Sequence, residues 1–477
     1  MTRQALLLVL LLGLTSSALM AAEDSLSLPR FKPAKLYYDL ARPKTVILLL
    51  AGGRWDRSAS GLARTLAAEL NALVVGVEVG AYIRELSSSV ETCGNPAADF
   101  EELSKLAQKR IKLPDYVSPI LVGYSTGATL AYAVLAEARA SAFEGAISLG
   151  FCPNIDLLNP LCRGDGLEMT EGPRGRGYAV LPCPTLEPPW IVLQGRQSTI
   201  CPIDSVRSFV SRTRSAQLIE LPTVKDDFAE TRRWLPQFKL AIRTLSYLRP
   251  PVTPVVPEIL ENLPLVETKP RGEGPDVLAV QITGDGGYGV TDRGIAEGLA
   301  GHGVPVVALN SLKYFWTKKT PEETTRDMER VLRNYLAATK KSELVLIGYS
   351  LGADVLPFVI NRLPDDLRYK IRMVVLLGPS LKVNFEFHLS DWLTSKSRPD
   401  DRAVLPEIAR LRNVVLFCFY GDKDRSEICH RIKLPNIRIF SIPSGHRFGR
   451  TFEPVVRAVL KELGVPQAKV PDRRPSS

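Results

Sequence analysis

The sequence predicts two α/β domains with mainly parallel sheets. Short β-branched apolar runs alternate with helical stretches along the chain. The alternation occurs twice, with corresponding runs offset by roughly 220 to 235 positions. Each copy also holds one G-x-S-x-G pentapeptide, and the two serines, Ser125 and Ser350, are 225 residues apart. Near-continuous apolar strands separated by helices imply parallel sheets covered on both faces. At 477 residues, 45% hydrophobic and 23% charged, the chain is long and apolar enough for two full cores, which excludes wholesale disorder.

From the N-terminus, Arg3 gives a basic start, Ala5 to Leu14 an apolar core, and Ser16 to Ala22 a run of mostly small residues before Glu23 and Asp24. This is the pattern of a cleaved signal peptide over residues 1–22, and its apolar part is too short to span a bilayer comfortably. No later stretch reaches 18 consecutive apolar residues, so no transmembrane segment is expected in the mature chain. The first domain, residues 23–248, has strand-like runs near Thr45–Leu50, Leu73–Val77, Pro119–Val122, Ala146–Leu149, Trp190–Leu193 and Gln217–Leu221. Residues 249–275 hold seven prolines between Pro250 and Pro275. Fixed φ angles and missing N–H groups disfavour helix and central strand there, leaving an extended linker. The second domain, residues 276–467, has runs near Asp276–Ile282, Pro305–Leu309, Glu343–Ile347, Arg372–Leu377, Asn413–Tyr420 and Asn436–Ile442. Thr320-Pro321-Glu322-Glu323 combines an N-cap, a proline at the first helical position and a capping-box glutamate. Residues 468–477 form a polar tail.

The formal net charge is +10, with no run of five basic residues. A basic exterior of this kind suits an anionic surface, and no nucleic-acid partner is expected. Of seven cysteines, Cys418 and Cys429 are the only possible pair within the second half, and the odd count leaves at least one thiol over. There is no C-x-x-C, and His302, His388, His430 and His446 are scattered. Disulfides in an oxidising compartment fit better than a metal site, and neither metal nor organic cofactor is implied.

Gly348-Tyr349-Ser350-Leu351-Gly352 follows the strand-like Leu344-Val345-Leu346-Ile347 and precedes a helical stretch, Ala353 to Arg362. A nucleophile elbow requires this strand–turn–helix context, because its glycines permit a sharp turn that exposes the serine hydroxyl. The fold then requires an acid and a histidine, in that chain order. Asp424, in Tyr420-Gly421-Asp422-Lys423-Asp424, is the expected orienting acid, with Asp422 and then Glu427 as alternatives. His446, in Ser444-Gly445-His446, is the expected general base for Ser350. The oxyanion hole is expected from the N–H groups of Leu351 and of Gly286 in the loop Thr283-Gly284-Asp285-Gly286-Gly287-Tyr288. That loop is neither a P-loop, since no G-K-[ST] follows, nor a dinucleotide fingerprint.

The first copy keeps Ser125 but has Lys225 where the histidine should stand and Gln194-Gly195-Arg196-Gln197-Ser198 in place of the acid loop. An unactivated serine is a poor nucleophile, so this copy reads as a degenerate hydrolase-like domain. It also has Ala51 where the second copy has Asp285, and Thr129 where the second has Asp354. Both acids are therefore candidates to receive a cationic part of a substrate.

The second half resembles the VirJ/AcvB virulence-protein family. The likeness is carried by Ile282-Thr283-Gly284-Asp285-Gly286-Gly287, Asn310-Ser311-Leu312-Lys313-Tyr314-Phe315-Trp316, Gly348-Tyr349-Ser350-Leu351-Gly352-Ala353-Asp354, Tyr420-Gly421 and Gly445-His446. Tyr288 stands where the family is expected to have Trp, and the two-copy layout looks like the longer AcvB type. The resemblance implies a periplasmic α/β-hydrolase that releases lysine or alanine from aminoacylated phosphatidylglycerol at a membrane surface. Alternatives of other classes are a non-catalytic periplasmic adaptor linked to secretion and a general carboxylesterase or lipase.

Overall fold

In a computed structural model of the chain, residues 22–465 are described, apart from 40–41, 89–91, 140, 227, 229, 248–259, 388–397, 425–427, 447 and 449–451. Residues 1–21, which hold nearly all of the expected signal peptide, and the tail from 466 onward lie outside the described residues.

All twelve apolar runs are strands. The first sheet has eight, in the order Ala22–Leu28, Phe31–Tyr38, Ala72–Glu78, Thr45–Ala51, Ile120–Tyr124, Gly145–Leu149, Trp190–Gly195, Ala216–Leu221. The second has seven, in the order Leu265–Thr268, Val306–Leu309, Val277–Ile282, Glu343–Tyr349, Ile371–Leu377, Val415–Gly421, Ile437–Ile442. Apart from the N-terminal hairpin and one antiparallel strand at the same edge of each sheet, all neighbours are parallel. The shared strand order, with helices on both faces, is the α/β-hydrolase arrangement.

Alternation within each strand fixes which core a side chain enters. Val46, Leu48 and Leu50 join one apolar cluster and Ile47 and Leu49 the opposite one. In the second sheet Leu278, Val280 and Ile282 face one way and Val277 and Ala279 the other. The proline-rich stretch ends differently from a plain connector: Leu265–Thr268 is the edge strand of the second sheet, paired with Val306–Leu309. Of the five proline-free residues between Pro264 and Pro270, four suffice for that pairing, and an edge is where flanking prolines are tolerated. Cysteines pair as Cys93–Cys162, Cys152–Cys201 and Cys418–Cys429, leaving Cys183 as a buried free thiol.

The two domains stack head to tail. Tyr116, Ser141 and Glu187 each lie a few residues before a strand of the first sheet, while Tyr288 and Trp316 lie just after strands of the second. Ser141 Oγ donates to the Tyr288 carbonyl, and Arg293 pairs with Glu187. Trp316 is the anchor, 1% exposed, in an apolar cluster with Tyr116, Leu312 and Phe387. Its Nε1 donates to the Leu113 carbonyl at 2.9 Å, and Lys109 Nζ sits 4.5 Å from its ring centroid. Trp316→Ala is expected to cost about 3–5 kcal/mol, the usual range for a buried aromatic. Urea unfolding should show this as loss of domain coupling, with the two halves melting separately; an unchanged single transition would contradict the anchoring role.

Candidate functional site

The strand Glu343–Tyr349 runs into the helix Leu351–Arg362 through Ser350, which has φ 49 and ψ −116. Positive φ is uncommon outside glycine and costs free energy that the surroundings must supply. The turn is held by close approach: a Cβ on Gly352 would stand 2.0 Å from the Ile282 carbonyl oxygen, and one on Gly348 2.5 Å from that of Gly352. Ser125 in the first domain has nearly the same backbone, φ 55 and ψ −124. The elbow geometry is thus present in both copies, and the difference lies in what surrounds it.

Around Ser350 a chain of hydrogen bonds is complete. Ser350 Oγ lies 3.0 Å from His446 Nε2, and His446 Nδ1 lies 2.8 Å from Asp424 Oδ2. The Asp424 side chain is 6% exposed and that of His446 40% exposed, so the acid is screened from water while the imidazole edge stays accessible. Asp422 is exposed in the same loop, and Glu427 lies outside the described residues. The Cys418–Cys429 disulfide brackets the loop that carries Asp424. Leu351 is the first residue of its helix, so its N–H has no intrahelical acceptor. Gly286 sits in a tight turn in which the Gly287 N–H donates to the Gly284 carbonyl.

Among the described residues no such chain surrounds Ser125. Lys225 is exposed, and Asp226 instead accepts from Ser198 Oγ and from the Thr199 N–H and hydroxyl. These bonds tie together the two loops that would have carried acid and base. The Cys152–Cys201 disulfide crosses the same region.

Two clefts meet at Ser350. One, of about 470 Å³, is lined by Ser350, His446, Tyr349 and the 284–289 loop on one side and by first-domain residues on the other. The second, of about 210 Å³, is lined by Ser350, Leu351, Asp285, Asp354 and residues 380–387. Asp285 faces both clefts and makes no hydrogen bond among the described residues. Asp354 is placed differently from a free ligand: it is 4% exposed and both its oxygens accept from Ser380, at 2.6 Å from the backbone N–H and 2.6 Å from the hydroxyl. Sequence reasoning missed Ser380, yet a comparison of the copies points to it. In the first domain Thr129 Oγ1 donates to the Cys152 carbonyl, so the position of Asp354 bonds to the segment after the next strand in both halves.

Burial pushes the Asp354 carboxyl up to about 7, against the lowering effect of its Ser380 bonds. The folded protein therefore holds a proton that the unfolded chain releases near its ordinary value of 3.8. The associated stability is fully present below about pH 4 and is lost as pH rises through about 7. Asp354→Asn is expected to flatten this decline in urea-unfolding free energy between about pH 4 and about pH 7. A slope equal to that of the wild type would mean that Asp354 is already ionised in the fold.

No curated protein matches the sequence. Among solved structures the chain is similar to Est1E from Butyrivibrio proteoclasticus, with 13% identity and a TM-score of 0.33 over 42% of this chain and 94% of that one. It is also similar to MenH from S. aureus, with 12% identity and a TM-score of 0.32 over 42% and 97%. An alpha-beta serine hydrolase homologue from Coxiella burnetii shows 15% identity and a TM-score of 0.30 over 42% and 90%. Residues 276–466 match the family model described as bacterial virulence protein (VirJ). That span runs from the strand Val277–Ile282 to the helix Glu453–Glu462 and includes Ser350, Asp424 and His446. It is this second domain, and not the whole chain, that is similar to the VirJ family of bacterial virulence proteins.

Proposed function

We propose that the second domain is a serine esterase acting on the aminoacyl ester of lysyl- or alanyl-phosphatidylglycerol. The observation that carries the reading is the unbroken Ser350–His446–Asp424 chain in one copy and its absence from the other. In the reaction, Ser350 Oγ attacks the ester carbonyl as His446 Nε2 takes its proton, and Asp424 holds the imidazole and stabilises its charged form. The Leu351 and Gly286 N–H groups receive the developing oxyanion. His446 then returns the proton to the departing glycerol oxygen. Water, deprotonated by the same imidazole, attacks the acyl-enzyme and releases the amino acid, regenerating Ser350.

The family likeness and the charge of the site support this choice of substrate. An aminoacyl ester carries an ammonium group close to its carbonyl, and Asp285 faces both clefts at Ser350. Asp354 acts behind it by fixing Ser380. The basic exterior suits an anionic lipid surface, and the signal-like N-terminus suits a periplasmic location. Among the described residues no helix is long and apolar enough to cross a membrane, so the lipid would be approached from outside.

Ser350→Ala is expected to lower kcat by about 10⁶-fold, and Asp424→Asn by about 10⁴-fold, with folding retained. Release of free lysine or alanine from the lipid is the measurement, and undiminished release would exclude the assignment. A fluorophosphonate probe should label Ser350 and leave Ser125 unlabelled; labelling of neither would favour an adaptor. Asp285→Asn is expected to raise KM for a cationic ester and leave that for a neutral one unchanged, whereas equal effects would favour a general carboxylesterase.

A further inference from the structure

The cavity wall opposite Ser350 is built by the domain that has no triad of its own, and it carries a cation. Arg139 follows the helix Thr126–Glu137 of the first domain and lines the 470 Å³ cleft together with Ser350 and His446. Its Nη2 donates to both oxygens of Glu101, at 2.7 and 2.8 Å. Nη1 and Nε make no hydrogen bond among the described residues, and the side chain keeps 35% of its exposure. Nη1 lies directly against the oxyanion loop, since a Cβ on Gly286 would stand 1.9 Å from it.

We propose that Arg139 is an anion-binding residue of the active site, donated by the degenerate domain, which holds the phosphodiester on the alcohol side of the scissile ester. This rests on the reading of Ser350 as an ester-cleaving nucleophile. Glu101 does not cancel the charge, because it is shared with Lys105, whose Nζ lies 2.7 Å away. Glu101 thus faces the positive charge of two cations. Lys105 is 2% exposed and turned over the Phe387 ring, so the accessible part of that charge is Arg139. A guanidinium pinned at one nitrogen with others unoccupied is preorganised for a phosphate oxygen pair.

Besides Glu101, the same cleft is lined by Glu137, Asp165, Asp285 and Asp292, and Asp285 is close enough to act on the Arg139 charge. Asp292 is taken up by Gln281 and by the Gly289 N–H. Burial pushes Glu137 up to about 8, so it is neutral around pH 7. Asp285 is the acid at the boundary, and it continues into the 210 Å³ cleft beyond Ser350, which Glu386, Asp401 and Lys382 also line and where burial pushes Asp354 up to about 7. Charge is therefore graded across the nucleophile, with a cation on one side and acids on the other. An ester with an ammonium group on its acyl part and a phosphodiester on its alcohol part fits that gradient in one orientation.

The test compares full-length wild type with Arg139→Gln on two substrates, aminoacyl-phosphatidylglycerol in mixed micelles and a phosphate-free aminoacyl glycerol ester. Arg139→Gln is expected to raise KM for the lipid at least about tenfold. Its kcat/KM for the phosphate-free ester should stay within about threefold, and Arg139→Lys should restore part of the loss. Equal loss on both substrates would reduce Arg139 to a support for the Gly286 loop and overturn the proposal, as would an unchanged KM for the lipid. Calorimetric titration with glycerophosphoglycerol and with inorganic phosphate separates this from the esterase reading, because it needs no turnover. Binding to wild type that is lost in Arg139→Gln supports the anion site even if no lipid is hydrolysed. Capture of glycerophosphoglycerol alone assigns the site to a lipid headgroup, and capture of both assigns it to phosphate generally. Equal binding, or none, in both proteins overturns the proposal.

Discussion

The arrangement around the cavity depends on one residue held where an L-amino acid is reluctant to sit. Ser350 occupies a left-handed φ because strand, turn and helix pack too closely for side chains on either flanking glycine. The strain of order 1–3 kcal/mol is carried by the sheet core behind it. Its yield is positional: the hydroxyl projects beyond the strand ends, next to the N–H groups of an unfinished helix turn. The first domain keeps the same strain at Ser125, with Gly123 and Gly127 in equally close contact, although the bonds that would employ it are gone. The elbow backbone is kept there without the side-chain bonds seen at Ser350. Removing the glycines would disturb packing between helix and sheet, whereas replacing a loop histidine leaves the fold intact.

The second organising feature is the stacking of the end where the first sheet's strands begin on the end where the second sheet's strands finish. Trp316 seals the contact from the second domain, and the first answers with Tyr116, Leu113 and Lys109. The Asn310–Trp316 stretch that most marks the family likeness is thus engaged in holding the domains together. The first domain forms a wall of the cavity beside Ser350, and its loops supply polar groups to that side.

Most of the fold was legible because buried parallel strands announce themselves as apolar β-branched runs, and all twelve appear as strands. The N-terminal hairpin Ala22–Leu28 and Phe31–Tyr38 was not, because an edge hairpin alternates polar with apolar residues and resembles a loop. Leu265–Thr268 was masked by the surrounding prolines. Around Ser350, chain order and strand ends were enough to bring Asp424 and His446 to mind, since a parallel sheet places successive strand exits side by side. The role of Ser380 in fixing Asp354 was hidden because a serine after a Gly-Pro turn has no distinctive spacing. Arg139 was invisible for a deeper reason: its neighbours in space belong to the other domain, and no local pattern encodes a meeting across an interface.

The fit of Arg139 against Gly286 leaves no room for even a methyl group between the two halves. Each domain thereby becomes part of the other's mutational environment. Enlarging residue 286 pushes on the guanidinium of the first domain, whereas shortening residue 139 opens space there and leaves the bond from the Gly287 N–H to the Gly284 carbonyl in place. Substitutions on the two faces are therefore coupled, and a larger side chain at position 286 is accommodated only where the residue at 139 is shorter or displaced.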